Sequence, residues 1–207
     1  MSLRIGIVDT GVNPWHSHVR GQVDGCRIYV DADGVLQEDA DFRDPVGHGT
    51  AVAGVLREAF ADAELYAVRV FGDGERTYPS LVARGVLRAA AQGCAYLNVS
   101  LAVPPGAGAP VLAAACAAAI EAGCVLVAPA RAGHEDWLPA ALPGVWAVRA
   151  DESLALDAVR VEGAGLLAAP DRPRELGQRA PQHNLRGPSF ACARALVYLI
   201  RTAGSRP

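Results

Sequence analysis

Leu3-Arg-Ile-Gly-Ile-Val-Asp9-Thr10-Gly11 is an apolar run that stops on a carboxylate and then on a glycine. The run reads as a buried strand over residues 3–8, and glycine permits the sharp exit that a strand-end carboxylate needs. Working outward, the same alternation continues along the chain. Strands are expected at 27–30, 64–71, 95–101, 124–129 and 145–149, and helices at 49–61, 80–92, 111–122 and 188–203. Continuous apolar strands separated by helices of about 10–15 residues belong to a parallel sheet covered on both faces. The expected class is therefore α/β, a doubly wound, mostly parallel sheet with helices on both faces, in which sites gather at the carboxyl ends of strands.

Length and composition agree. A chain of 207 residues suits a single domain over 1–207 and can bury about 70% of its unfolded surface. The loops at 104–110 and 170–186 are too short to separate domains. With 51% hydrophobic and 20% charged residues and a net charge of −3, the chain is globular, and its scattered arginines form no nucleic-acid surface. The most apolar stretch, 111–130, is broken by Glu121, Gly123 and Pro129, so it reads as helix then strand in a core and no membrane span is expected. No secretory signal or propeptide is visible ahead of the first strand. Cys26, Cys94, Cys116, Cys124 and Cys192 are an odd set without framework spacing. They read mostly as small core residues of a protein in the reducing cytoplasm.

Three local frames carry the chemistry: Ile-Val-Asp9-Thr-Gly, Gly-His48-Gly-Thr-Ala-Val-Ala-Gly and Gly-Pro-Ser189-Phe-Ala. Taken alone, Asp9 is a turn or cap residue and Ser189 a helix cap. Taken together, the three supply an acid, a base and a nucleophile. His48 opens a helix whose following residues, Ala51, Ala53 and Gly54, are small enough to lie close on a sheet.

In these frames the chain resembles the subtilisin-like serine peptidases, the subtilases. The resemblance extends to Glu64-Leu-Tyr-Ala-Val-Arg-Val, Leu97-Asn-Val-Ser100-Leu101, Leu138-Pro139-Ala and Ala168-Ala169-Pro170, nearly the whole chain. It implies that His48 accepts the Ser189 proton during attack on a peptide carbonyl while Asp9 orients the imidazole. It implies that Ser100, Leu101 and Ala102 line the substrate cleft, that the substrate is a peptide or protein, and that no cofactor is needed. Cleavage of a restricted peptide or precursor is the activity expected; a pseudoenzyme that binds peptides or assembles with a partner protein is the alternative.

Three departures from the family pattern stand out. Arg131 occupies the place of the oxyanion asparagine, in Val125-Leu-Val-Ala-Pro129-Ala130-Arg131-Ala-Gly133, and Pro188 that of the threonine before the serine. Arg131 is thus an oxyanion candidate; it could instead be tied up in a salt bridge, and Gln182, His183 or Asn184 could supply a donor. Ala102 and Val103 stand where the family commonly has glycines, predicting a narrowed pocket for small residues. The link from the histidine helix to Ala63-Glu64-Leu65 is too short for the family's calcium insertion, and Asp31, Asp33, Asp39, Asp41 and Asp44 read as an exposed acidic loop rather than a metal site.

Overall fold

The computed structural model describes residues 2–72, 76–171 and 187–203. The first strand, β1 (Arg4–Asp9), lies at the middle of a nine-stranded sheet. To one side lie β4 (Glu64–Arg69), β2 (Val23–Val30) and β3 (Leu36–Asp39); to the other β5 (Tyr96–Val99), β6 (Val125–Pro129), β7 (Trp146–Ala150), β9 (Gly165–Ala168) and β8 (Val159–Glu162). All neighbouring pairs are parallel except the two edge pairs, β2–β3 and β8–β9. The fold is the expected doubly wound α/β sheet. Its strand order reverses at β1 and β5, and the carboxyl ends at such a switch point leave a crevice.

Period-two alternation along β1 divides the core. Ile5 and Ile7 face α1 (His48–Ala59) and α4 (Pro188–Ala203), packing with Val52, Leu56, Phe190 and Leu196. Val8 faces the opposite layer, where α2 (Pro79–Ala91) contributes Val82 and Val86, and α3 (Ala109–Glu121) contributes Leu112 and Cys116. All five cysteines are buried and unpaired, and desolvation pushes the thiols of Cys94 and Cys116 up to about 12, so they behave as core residues. Among the described residues no helix is long and apolar enough to cross a membrane.

The structure adds strands that the sequence pattern did not indicate and corrects the acidic loop. Leu36–Asp39 is not loop but the antiparallel edge strand β3, and Asp39 on it pairs with Arg27 of β2. Asp31 accepts the backbone N–H groups of Asp33 and Val35 (3.0 and 2.9 Å), closing the β2–β3 turn, and Asp41 pairs with Arg43 at 2.6 Å. Asp44 is not exposed at all. Asp31, Asp39, Asp41 and Asp44 thus each have their own structural partners, and the five acids form no group that could hold a metal ion.

Residues 60–63 are all that join α1 to β4, too little chain to wrap six or more oxygen ligands around calcium. A guanidinium occupies the carbonyl oxygens there. Buried Arg57 donates to Ala61 O at 2.7 Å, Ala63 O at 2.6 Å and Gln22 O at 3.1 Å. Burial lowers its pKa below the ordinary guanidinium value, and the Asp62 charge opposes that shift. Arg57→Ala should lower the unfolding free energy by about 1–3 kcal/mol, because it leaves the buried Ala63 carbonyl without the guanidinium donor. Added chelator should leave the thermal midpoint of the unaltered protein where it is; a drop of many degrees would reveal a bound ion.

Candidate active site

Asp9 is the last residue of β1, and its carboxylate is buried. Oδ1 accepts the backbone N–H of Thr10 at 2.6 Å and the Nδ1–H of His48 at 2.7 Å. Among the described residues Oδ2 makes no hydrogen bond. A carboxylate so placed fixes the imidazole tautomer, leaving Nε2 as the basic nitrogen.

His48 reaches Asp9 because α1 begins unusually close to the end of β1. A Cβ on Gly49 would lie 2.2 Å from Gly11 O and 3.1 Å from the Asp9 side chain, so only glycine fits there. Gly11, at φ +112, lies against a different segment: a Cβ there would be 2.6 Å from Phe42 O and 2.7 Å from Arg43 O. The two glycines of the aspartate and histidine frames thus permit two close backbone approaches, α1 onto the exit of β1 and that exit onto residues 42–43.

Asp44 holds that approach in place, and sequence reasoning missed it by grouping it with its acidic neighbours. Its carboxylate accepts five hydrogen bonds: from Thr10 Oγ1, Val46 N, Gly47 N, Thr50 N and Thr50 Oγ1, at 2.7–3.0 Å. Thr10 Oγ1 in turn accepts Gly49 N at 3.0 Å, and Asn13 exchanges bonds with the Asp44 backbone (2.9 and 3.1 Å). An acid at the start of α1 also complements the helix dipole. The Asp-x-x-Gly-His spacing, which puts an acid four residues ahead of the histidine, was the available signal.

Ser189 lies within the first turn of α4, after Pro188, where a missing N–H costs nothing. Its hydroxyl donates to the carbonyl of Ser100 at 3.3 Å, across the sheet edge beyond β5. It is therefore not acting as a cap. Phe190, buried beside it, packs its ring 5.9 Å from the His48 imidazole at 49°, bringing α4 against the histidine.

His48 and Ser189 line one cavity of about 250 Å³ with Ser100, Leu101, Ala102 and Arg131. A second hollow of about 650 Å³ shares His48 and residues 100–102 and continues past Phe71, Tyr78, Val103 and Trp137. Together they form one cleft. Arg131 follows β6 and is exposed, with its guanidinium 5.6 Å from the Trp137 ring centroid. It makes no ion pair among the described residues. Asn98, fully buried in β5, donates to Ser100 Oγ and fixes the cleft wall. The N–H and C=O of Val103 both bond to Leu138 (2.8 and 2.9 Å). Gln182, His183 and Asn184 lie outside the described residues. Among those described, no group of three or more histidine, cysteine or acidic side chains could hold a metal ion.

The sequence model of the Subtilase family matches residues 2–144. The chain belongs to the subtilases. A subtilisin of Bacillus sp. (strain TA39) is 30% identical over 114 residues, 48% of this chain and 27% of that protein; the chain thus aligns with about a quarter of that relative's length. Among solved structures, a cold adapted subtilisin-like serine proteinase superposes with a TM-score of 0.70 at 22% identity, covering 98% of this chain and 77% of that one. A lanthipeptide protease gives 0.67 at 15% identity over 99% and 75%. The epidermin leader peptide processing serine protease of Staphylococcus aureus gives 0.61 at 19% identity over 72% and 47%. As a subtilase, the chain falls in a serine peptidase family, and these neighbours share its fold.

Asp44→Ala should lower the unfolding free energy by about 3 kcal/mol, since it strands buried donors, whereas Asp33→Ala on the exposed turn should stay within about 0.5 kcal/mol. Urea titrations of the two variants check this; equal effects would mean that the Asp44 network contributes nothing.

Proposed function

We propose that this subtilase is a serine endopeptidase that cleaves a restricted peptide or precursor through an acyl-enzyme at Ser189. The observation that carries the proposal is the 2.7 Å bond between Asp9 and His48, at the mouth of a cavity that His48 shares with Ser189. The Ser189 hydroxyl leaves the Ser100 carbonyl by a rotation about χ1 and gives its proton to His48 Nε2 as its oxygen attacks the scissile carbonyl. Asp9 stabilises the imidazolium that forms, and His48 then protonates the leaving amine.

The developing oxyanion needs donors. The Ser189 backbone N–H is one, and Arg131 is the other. Its guanidinium borders the same cavity, is not committed to an ion pair among the described residues, and a cation holds negative charge in place of an amide. The small cavity and the added methyl group of Ala102 favour a small side chain before the scissile bond. A fold shared with an epidermin leader peptide processing protease is compatible with dedication to one precursor.

The departures at Arg131 and Pro188 and the bond from Ser189 to Ser100 favour a second reading, a subtilase fold that binds extended peptides without cleaving them. Fluorophosphonate labelling separates the two. The peptidase incorporates the probe, and Ser189→Ala does not; absence of labelling in both supports the binder. Arg131→Ala should slow acylation by about 10²-fold, the scale known for losing an oxyanion donor in a member of this same family, and Arg131→Asn should retain it. Equal rates in all three proteins would exclude Arg131 from the chemistry.

A further inference from the structure

The protein carries a net charge of −3, yet the charged side chains among the described residues lining its cleft are arginines. The residues lining the two hollows include Arg131 in one and Arg76 in the other, and among the described residues neither hollow is lined by an aspartate or glutamate. Both arginines are exposed, and neither makes an ion pair among the described residues. Three described acids nearby are engaged elsewhere, and Glu152 borders a neighbouring hollow that Arg131 also lines. Asp9 lies beneath His48, Asp44 is saturated by five hydrogen bonds, and Asp151 binds Arg160 at 2.7 Å and Ser153.

We infer that the cleft takes an acidic peptide, with carboxylate side chains on the amino-terminal side of the scissile bond meeting Arg76 and Arg131. The inference rests on the peptidase reading for the direction of the chain in the cleft, and deepens it by naming the substrate class. Two physical arguments support it. Guanidinium groups recognise carboxylates through paired N–H bonds, and a concave wall of low dielectric concentrates their field. The wall beside Arg76 is apolar, formed by Phe71, Tyr78, Val103 and Trp137. It therefore suits an apolar side chain flanked by acidic ones. An extended strand advances about 3.3 Å per residue, so a segment of a few residues spans the cleft and meets both cations. A basic peptide would place its charges against like charges, with no acid among the described lining residues to offset them.

The test uses Ser189→Ala, so that peptides bind without being cleaved. Three fluorescent decapeptides differ only in carrying Glu, Gln or Lys at the second and fourth residues before a central Ala-Ser bond. Fluorescence anisotropy at low salt should give the Glu peptide an affinity at least about tenfold above the Lys peptide, with the preference shrinking as salt screens it. Arg76→Glu, in the same Ser189→Ala background, should reverse part of that preference. Equal affinities for the three peptides, or a preference for Lys, would overturn the inference. Labelling of the unaltered protein reads the peptidase proposal independently. Labelling without charge preference removes only the acidic substrate, and charge preference without labelling removes only the catalysis.

Discussion

A backbone contact governs this molecule: the start of α1 lies on the exit of β1 so closely that Gly49 has no space for a Cβ beside the Gly11 carbonyl. From that contact the rest of the site follows. It brings the His48 Nδ1 within 2.7 Å of Asp9, and it creates a cluster of N–H and hydroxyl groups that Thr10 and Asp44 satisfy. Because interiors are packed at crystal-like density, such an approach is not continuously adjustable. An added methyl group would move the helix, and the imidazole would move with it. The switch point of the sheet then provides the space in front, where the segment after β5 and the first turn of α4 bring Ser100 and Ser189 to the same edge.

What the sequence revealed of this arrangement depended on how local each cause was. Strand-end Asp9, the glycines around His48 and the helix after Pro188 act through neighbours in the chain, so their roles could be read from a few residues. The central strands, buried on both faces, announced themselves as apolar runs. The edge strands β3 and β8 did not, because an edge strand faces solvent and carries charge; β3 reads Leu-Gln-Glu-Asp, the composition of a loop, and β9 is an apolar run of only four residues. Asp44 was misread for a related reason. Nothing in an aspartate's immediate sequence says whether its carboxylate points at water or at five donors contributed by two segments. The carbonyls that Arg57 binds, and the packing of Phe190 on His48, are tertiary facts of the same kind.

The site combines a family scaffold with a private chemistry. The Asp9–His48 bond keeps the geometry expected of a subtilase, while Arg131 and Pro188 stand where the sequence resemblance expects two groups near the oxyanion. A guanidinium differs from an amide in carrying a full charge, which acts over a longer range and is sensitive to salt. In the proposed reading, catalysis and substrate choice are coupled in this chain. The cation proposed to hold the oxyanion also sets the sign of the cleft. An acidic substrate would be drawn toward Arg131 and Arg76 alike, whereas a neutral asparagine would leave those two properties independent.

The central claim is that the buried Asp9 carboxylate holds the His48 imidazole in a charge-assisted hydrogen bond, in the tautomer that makes Nε2 the base. Proton NMR at low temperature tests it most directly. The account predicts a strongly deshielded imidazole N–H resonance, present in the unaltered protein and in Ser189→Ala, and absent from both Asp9→Asn and His48→Ala, because short hydrogen bonds to an ionised acceptor deshield the shared proton. A spectrum without such a resonance, or one in which it survives in Asp9→Asn, would contradict the account.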